Sequence, residues 1–215
     1  RRQIRTVRTG FRQMFRSGLD EENGHYSLGI LSSEFSYMRF LSKKTSVGCS
    51  LNGEQAWYDF AADDDISGFD SVRSVKLGLF WRQSVSRRMS LVTTAFAENS
   101  AAVNADLSTA MRYGGMGGFQ YALSKKVSLG LGVAGSTKLE GAPRILPLPL
   151  IQIRFTERLS MITRKGLGLR WVPDRDKKWQ LDLLAGYESR MFRLDSDAPY
   201  PEGAAEDRRV NLRCT

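Results

Sequence analysis

The sequence predicts an all-β chain, an antiparallel up-and-down transmembrane β-barrel of about ten to twelve strands. The first observation behind this is a recurrent short basic turn. Ser42-Lys43-Lys44, Ser86-Arg87-Arg88, Ser124-Lys125-Lys126, Thr156-Glu157-Arg158 and Asp176-Lys177-Lys178 each separate runs in which every second residue is apolar. The second is what fills the alternate positions. Val127, Leu129, Leu131 and Val133 alternate with Ser128, Gly130, Gly132 and Ala134, and Val75, Leu77, Leu79 and Trp81 alternate with Lys76, Gly78, Phe80 and Arg82. A period of two puts the two sets on opposite faces of a strand. A soluble sandwich alternates too, with its polar face outside. Cations and glycines opposite a greasy face instead fit a barrel with lipid outside and a polar lumen within.

The strands follow in order: residues 34 to 41, 45 to 53, 73 to 83, 89 to 98, 110 to 122, 127 to 136, 148 to 155, 159 to 164, 166 to 172 and 178 to 192, with further strands near 26 to 33 and 208 to 213. The connection near Lys165 must be tight. Turns at the basic end are short, whereas 59 to 70, 98 to 106, 138 to 144 and 195 to 207 are longer and rich in Asp, Asn, Gly and Pro. That asymmetry is typical of outer-membrane barrels. Phe40, Trp81, Tyr121, Phe155, Trp171 and Trp179 lie near the basic turns, and Trp57, Phe96, Tyr113, Tyr187 and Phe192 near the opposite rim, as two aromatic girdles would. Residues 1 to 25 are a basic N-terminal segment holding six arginines by Arg16. Within it Ile4, Val7, Phe11, Met14 and Phe15 recur at helical spacing, so a short amphipathic helix competes with a tail or an irregular strand. Residues 26 to 215 then form one barrel domain.

Composition narrows the classes further. With 215 residues, 41% hydrophobic content and a mean hydropathy of -0.34, the chain has no run long enough for a membrane helix. Strands that face lipid only at alternate residues leave no such signal. The net charge of +9 invites a nucleic-acid reading. The cations are dispersed over turns and strand faces rather than clustered, so no nucleic acid is expected. Cys49 and Cys214 make neither a disulfide framework nor a metal pattern.

Placing odd residues against lipid leaves an inward list: Glu54, Lys76, Arg82, Glu98, Arg112, Gln120, Gln152, Arg154, Arg170, Asp182, Glu188 and Arg190. Mixed signs facing a narrow lumen either pair and fill it or line a path for small anionic solutes. Gly114, Gly115, Gly117 and Gly118 are flanked by strand-like residues on both sides, which removes a phosphate-binding loop. His25 is the only histidine, so histidine metal clusters are out and a serine nucleophile would have a single candidate base. Asp63, Asp64 and Asp65 read as a solvated acidic loop. No catalytic residue, metal or cofactor is expected.

The stretch from Leu146 to Asp195 carries a resemblance. Leu146-Pro147-Leu148-Pro149-Leu150-Ile151 leads into Arg154-Phe155, followed by Gly166-Leu167-Gly168-Leu169-Arg170-Trp171, Lys178-Trp179, and Tyr187 through Arg190 and Phe192 to Asp195. It resembles a family of uncharacterised Gram-negative outer-membrane β-barrel proteins, a domain of unknown function. The resemblance implies a barrel, an outer-membrane location with outer-membrane lipids as partners, and no assigned activity. Two features depart from it: the chain ends at Arg213-Cys214-Thr215 rather than on an aromatic residue, and it shows no export signal, so a fragment or atypical ends are expected.

The expectation is therefore a bacterial outer-membrane β-barrel, structural or a small solute channel with a charged lumen, and not an enzyme. Two alternatives stand beside it: a lipid-modifying hydrolase using His25, and a soluble barrel binding a small ligand, whose strands would face the opposite way. Oligomeric state is not legible.

Overall fold

The structure, a computed structural model, describes residues 3–18, 25–61, 70–163, 166–173, 179, 181–194 and 203–214. These form twelve strands: β1 (Gln3–Gly18), β2 (His25–Phe40), β3 (Thr45–Ala61), β4 (Ser71–Ser84), β5 (Met89–Ala102), β6 (Met111–Ala122), β7 (Val127–Ser136), β8 (Arg144–Arg154), β9 (Leu159–Thr163), β10 (Leu167–Trp171), β11 (Leu181–Arg193) and β12 (Ala204–Cys214). They make one sheet in sequence order, each strand antiparallel to the next, so the chain is all-β and up-and-down as expected. The sheet curls until the end of β11 reaches β5, where Arg193 pairs with Ala101.

The basic turns share one construction. In each of the four that are described, the leading hydroxyl accepts two backbone N–H groups: Ser42 Oγ from Lys44 and Thr45, Ser86 Oγ from Arg88 and Met89, Ser124 Oγ from Lys126 and Val127, and Thr156 Oγ1 from Arg158 and Leu159, all between 2.9 and 3.2 Å. Short hydroxyl side chains reach back to the backbone in this way and hold a turn that strands alone would leave unsatisfied. The fifth, Asp176 to Lys178, lies outside the described residues, as do Asp63, Asp64 and Asp65.

One open choice is decided and two sequence expectations are corrected. Of the alternatives for the N-terminal segment, the irregular strand is the one observed: Gln3–Gly18 is β1, paired along its length with β2 and interrupted by one bulge between Met14 and Ser17. Val7 and Phe11 are four apart, a spacing that satisfies helix and strand periods alike, and the partner strand decides between them. As a first correction, strands run further toward the long loops than drawn: β3 continues to Ala61 and β8 begins at Arg144. As a second, Phe40, Phe96 and Phe192 do not belong to girdles. All are even-numbered and share the inner face, whereas Trp57, Trp81, Tyr113, Tyr121, Phe155, Trp171 and Trp179 are exposed. Tyr187's side chain lies outside the described set.

Facing follows residue parity. Val75, Leu77, Leu79, Leu129, Leu131, Val133 and Leu183 are exposed, while Val127, Ile151, Ile153 and Leu181 are half-buried. The opposite face of the sheet holds the buried charges. They include Glu98, Arg112 and Arg190. Toward the long-loop end the inner face changes character, and Leu28, Ile30, Ala56, Tyr58, Val72 and Phe192 form an apolar core.

Candidate functional site: the charged inner face

Register aligns side chains across the sheet in rows. Arg8 stands opposite Glu34, Glu34 opposite Asn52, Asn52 opposite Lys76, Lys76 opposite Glu98, and Glu98 opposite Arg112. Directly opposed residues on one face are the unit of sheet contact. At the centre of this row, Glu98 Oε2 accepts from Arg112 at 3.0 Å and from Lys76 at 3.3 Å, and its other oxygen accepts from the Ser74 hydroxyl at 3.4 Å. The Lys76 ammonium also lies 4.0 Å from the centre of the Phe96 ring, the next inward residue on β5. Gly114, opposite Phe96, makes room for it: a Cβ there would stand 2.6 Å from the ring.

Two further pairs close the interior. Arg190 on β11 donates to Glu54 on β3, tying together strands far apart in the sheet. On β10 and β11, Arg170 and Asp182 form a two-pronged pair, with Nε to Oδ1 at 2.8 Å and Nη2 to Oδ2 at 3.1 Å. Seven of the twelve inward residues expected from parity therefore meet in ion pairs. Gln120 and Gln152 lie half-buried on the same face, and Arg82 and Arg154 are exposed near the basic turns, where neither makes an ion pair with a described residue. Glu188 pairs through its backbone with Arg209, and its side chain lies outside the described set.

The inward list missed what closes the long-loop end. Phe192, only 1% exposed, packs among Leu28, Ile30, Ala56, Tyr58 and Val72, and its ring lies 5.9 Å from that of Tyr58. Tyr58 in turn stacks on Phe60 at 6.1 Å. The signal was present as unbroken parity: Leu28 and Ile30 are even, as are Tyr58 and Phe60 on the next strand. Apolar residues on both faces of 25 to 33 hide that alternation. One residue on, Arg193 reaches over the rim to Glu140 at 2.9 Å and to the Thr109 carbonyl at 3.3 Å, tying two long loops to β11. In the first of these loops Asp106 accepts from the Ser108 backbone N–H and hydroxyl, both at 2.8 Å. These bonds hold its carboxyl below the usual carboxylate range.

His25 begins β2, opposite Gly18 and Ala61, and its side chain lies outside the described set, so the hydrolase arrangement falls there too. Among the described residues, no group of three or more His, Cys, Asp or Glu side chains is placed to hold a metal. No family model, curated protein or solved structure matches this chain.

Proposed function

We propose that this chain is a β-barrel of a bacterial outer membrane with a packed interior, a structural membrane protein rather than an enzyme or an open channel. The observation that carries the reading is the facing of the sheet. Leucines and valines are exposed on the odd face while glutamates and arginines are buried on the even one. A soluble protein with this arrangement would expose a large apolar surface and bury its charges, both unfavourable in water. Surrounded by lipid, the same arrangement places each face in a solvent it suits.

The interior argues for packing over conduction. Glu54, Glu98 and Asp182 each have a cationic partner, and the long-loop end is filled along β2 to β4 by the cluster around Phe192. Of the inward cations expected from parity, Arg82 and Arg154 are left over, so any residual conductance favours anions. The test is refolding from denaturant into lipid vesicles, followed by planar-bilayer recording across a salt gradient. Insertion without steady conductance is expected. A monodisperse detergent-free protein would overturn the membrane reading, and a steady open conductance would overturn the packed interior in favour of a channel.

A further inference from the structure

We propose that a gap in the wall above the β9–β10 hairpin admits the acyl chain of a membrane lipid, which lies against the inner face of β6, β7 and β8. The proposal rests on the membrane reading above and adds a ligand site to it.

The gap follows from strand lengths. β8 has 11 residues and β11 has 13, but β9 and β10 between them have 5 each. Five residues rise only about 17 Å even along the strand axis, too short for a tilted strand to span a hydrocarbon core of about 30 Å. Above this hairpin, among the described residues, 144 to 150 of β8 and 186 to 193 of β11 have no strand between them.

An open sheet edge in hydrocarbon strands its N–H groups, each at several kcal/mol, so such edges are not left bare. On β8 the sequence removes two of the three donors, leaving only that of Ile145 at the strand's start. Arg154 N donates to Lys126 O across the β7 side at 2.7 Å, and Ile151 N donates to Thr163 Oγ1 on the β9 side at 2.8 Å. Odd residues of β8 therefore aim their N–H groups at the gap. Positions 147 and 149 are both proline, which has no N–H. The Thr163 hydroxyl donates to the Pro149 carbonyl at 2.7 Å, capping an acceptor of the same edge. On the far side of the gap, β11 meets β5 through Arg193 and Ala101. The prolines also exclude a neighbouring strand as the occupant, since a strand added here would find no donors at either position.

The surface just inside is apolar, unlike the charged wall of β3 to β6. Met116, Ala134 and Leu146 form one row, and Gly118, Gly132 and Leu148 the next. Leu146 faces the interior yet is 41% exposed, so it lacks a partner of its own kind. A Cβ on Gly118 would stand 2.8 Å from the Gly132 Cα and 3.1 Å from Leu150 Cδ1, so the floor of this strip is glycine backbone with the buried Leu150 side chain laid against it. Outside, Ile145 and Val133 continue the exposed belt up to the proline edge. One apolar surface thus runs from the lipid-facing side through the gap to the inner wall, and a flexible hydrocarbon chain is the ligand that fits it.

The test uses the full chain refolded into phosphatidylcholine vesicles whose acyl chains are brominated near their middle, a contact quencher of tryptophan. Trp57, Trp81, Trp171 and Trp179 are replaced by Phe, and a single Trp is returned as Leu131→Trp on the belt, Leu146→Trp inside the gap, or Thr94→Trp on the inner face of β5. Leu131→Trp and Leu146→Trp are expected to lose comparable shares of their emission, and Thr94→Trp little. Quenching of Leu131→Trp without Leu146→Trp overturns the acyl-chain site and leaves the membrane reading intact. Absence of quenching at Leu131→Trp overturns the membrane reading itself. Equal quenching at Thr94→Trp overturns the localisation to β6–β8. Should Leu146→Trp fail to fold, Leu148→Cys carrying a small fluorophore, with Cys49 and Cys214 changed to Ser, reads the same contact.

Discussion

Replacing Glu98 by Gln removes the carboxylate that Arg112 and Lys76 share while keeping its shape. The side chains of Glu98 and Arg112 are each 11% exposed, so the variant leaves a guanidinium largely out of water with its counter-charge gone. Breaking a buried pair in this way costs about 3–5 kcal/mol. The Lys76 side chain is 41% exposed and screened by water. It therefore adds little, about 0–1 kcal/mol. The new amide oxygen still accepts from Arg112, while the amide nitrogen takes the place of the oxygen facing Ser74 and donates to its hydroxyl, which places the total near the lower bound, at about 3 kcal/mol. Asp182→Asn is the internal control. The side chains of Arg170 and Asp182 are 55% and 30% exposed. Breaking their two-pronged pair is expected to cost less than about 1 kcal/mol despite its good geometry. Urea unfolding from vesicles, followed by tryptophan emission, measures both. An effect of Glu98→Gln below about 0.5 kcal/mol, or equal to that of Asp182→Asn, would refute the claim that this row is a desolvated structural element.

Three further outcomes follow from the same geometry. Leu131, midway along β7, is 53% exposed. Leu131→Arg is expected to destabilise the vesicle-inserted protein by about 2–4 kcal/mol, the penalty for a cation at mid-bilayer. At an aqueous surface the same change would cost only about 0.5 kcal/mol, and equilibrium unfolding from vesicles separates the two. Phe192→Ala empties the centre of the loop-end core around Tyr58 and Val72. Its expected cost is about 3–5 kcal/mol, with the appearance of conductance in planar bilayers where the parent has none. Ser124→Ala withdraws two hydrogen bonds from one exposed turn. Chemical denaturation should register a loss of about 1 kcal/mol, with Ser124→Thr close to neutral, as Thr156 already fills the equivalent place.

Much of the fold was legible because the two faces of the sheet differ in character, apolar on odd residues and charged or small on even ones, and because, the β1 bulge apart, the chain keeps one parity from β1 through β11. Lys76, Glu98 and Arg112 could be placed together on the inner face from parity alone; that one carboxylate joins all three required the register. The pairing of Arg190 with Glu54 was not legible at all, since it depends on how far the sheet curls, a global property that no local pattern encodes. Residues 3 to 18 were obscured by Val7 and Phe11, whose spacing fits two periods, and by arginines on both faces. Pro147 and Pro149 were visible in the sequence. Their meaning was not, because an edge position in the middle of a sheet is defined only once the neighbouring strands prove short.

The central claim is that odd residues meet lipid and even residues meet the interior, and a nitroxide scan of β7 from Val127 to Ala134 tests it most directly. Each position carries one spin label in a chain with Cys49 and Cys214 changed to Ser, refolded into vesicles. Collision with oxygen, which partitions into hydrocarbon, is compared with collision with a water-soluble nickel chelate. The account predicts a period of two, with oxygen dominant at Leu129, Leu131 and Val133 and weak at Ser128, Gly130 and Gly132. Nickel dominance at Leu129, Leu131 and Val133, or no alternation along the strand, would contradict it.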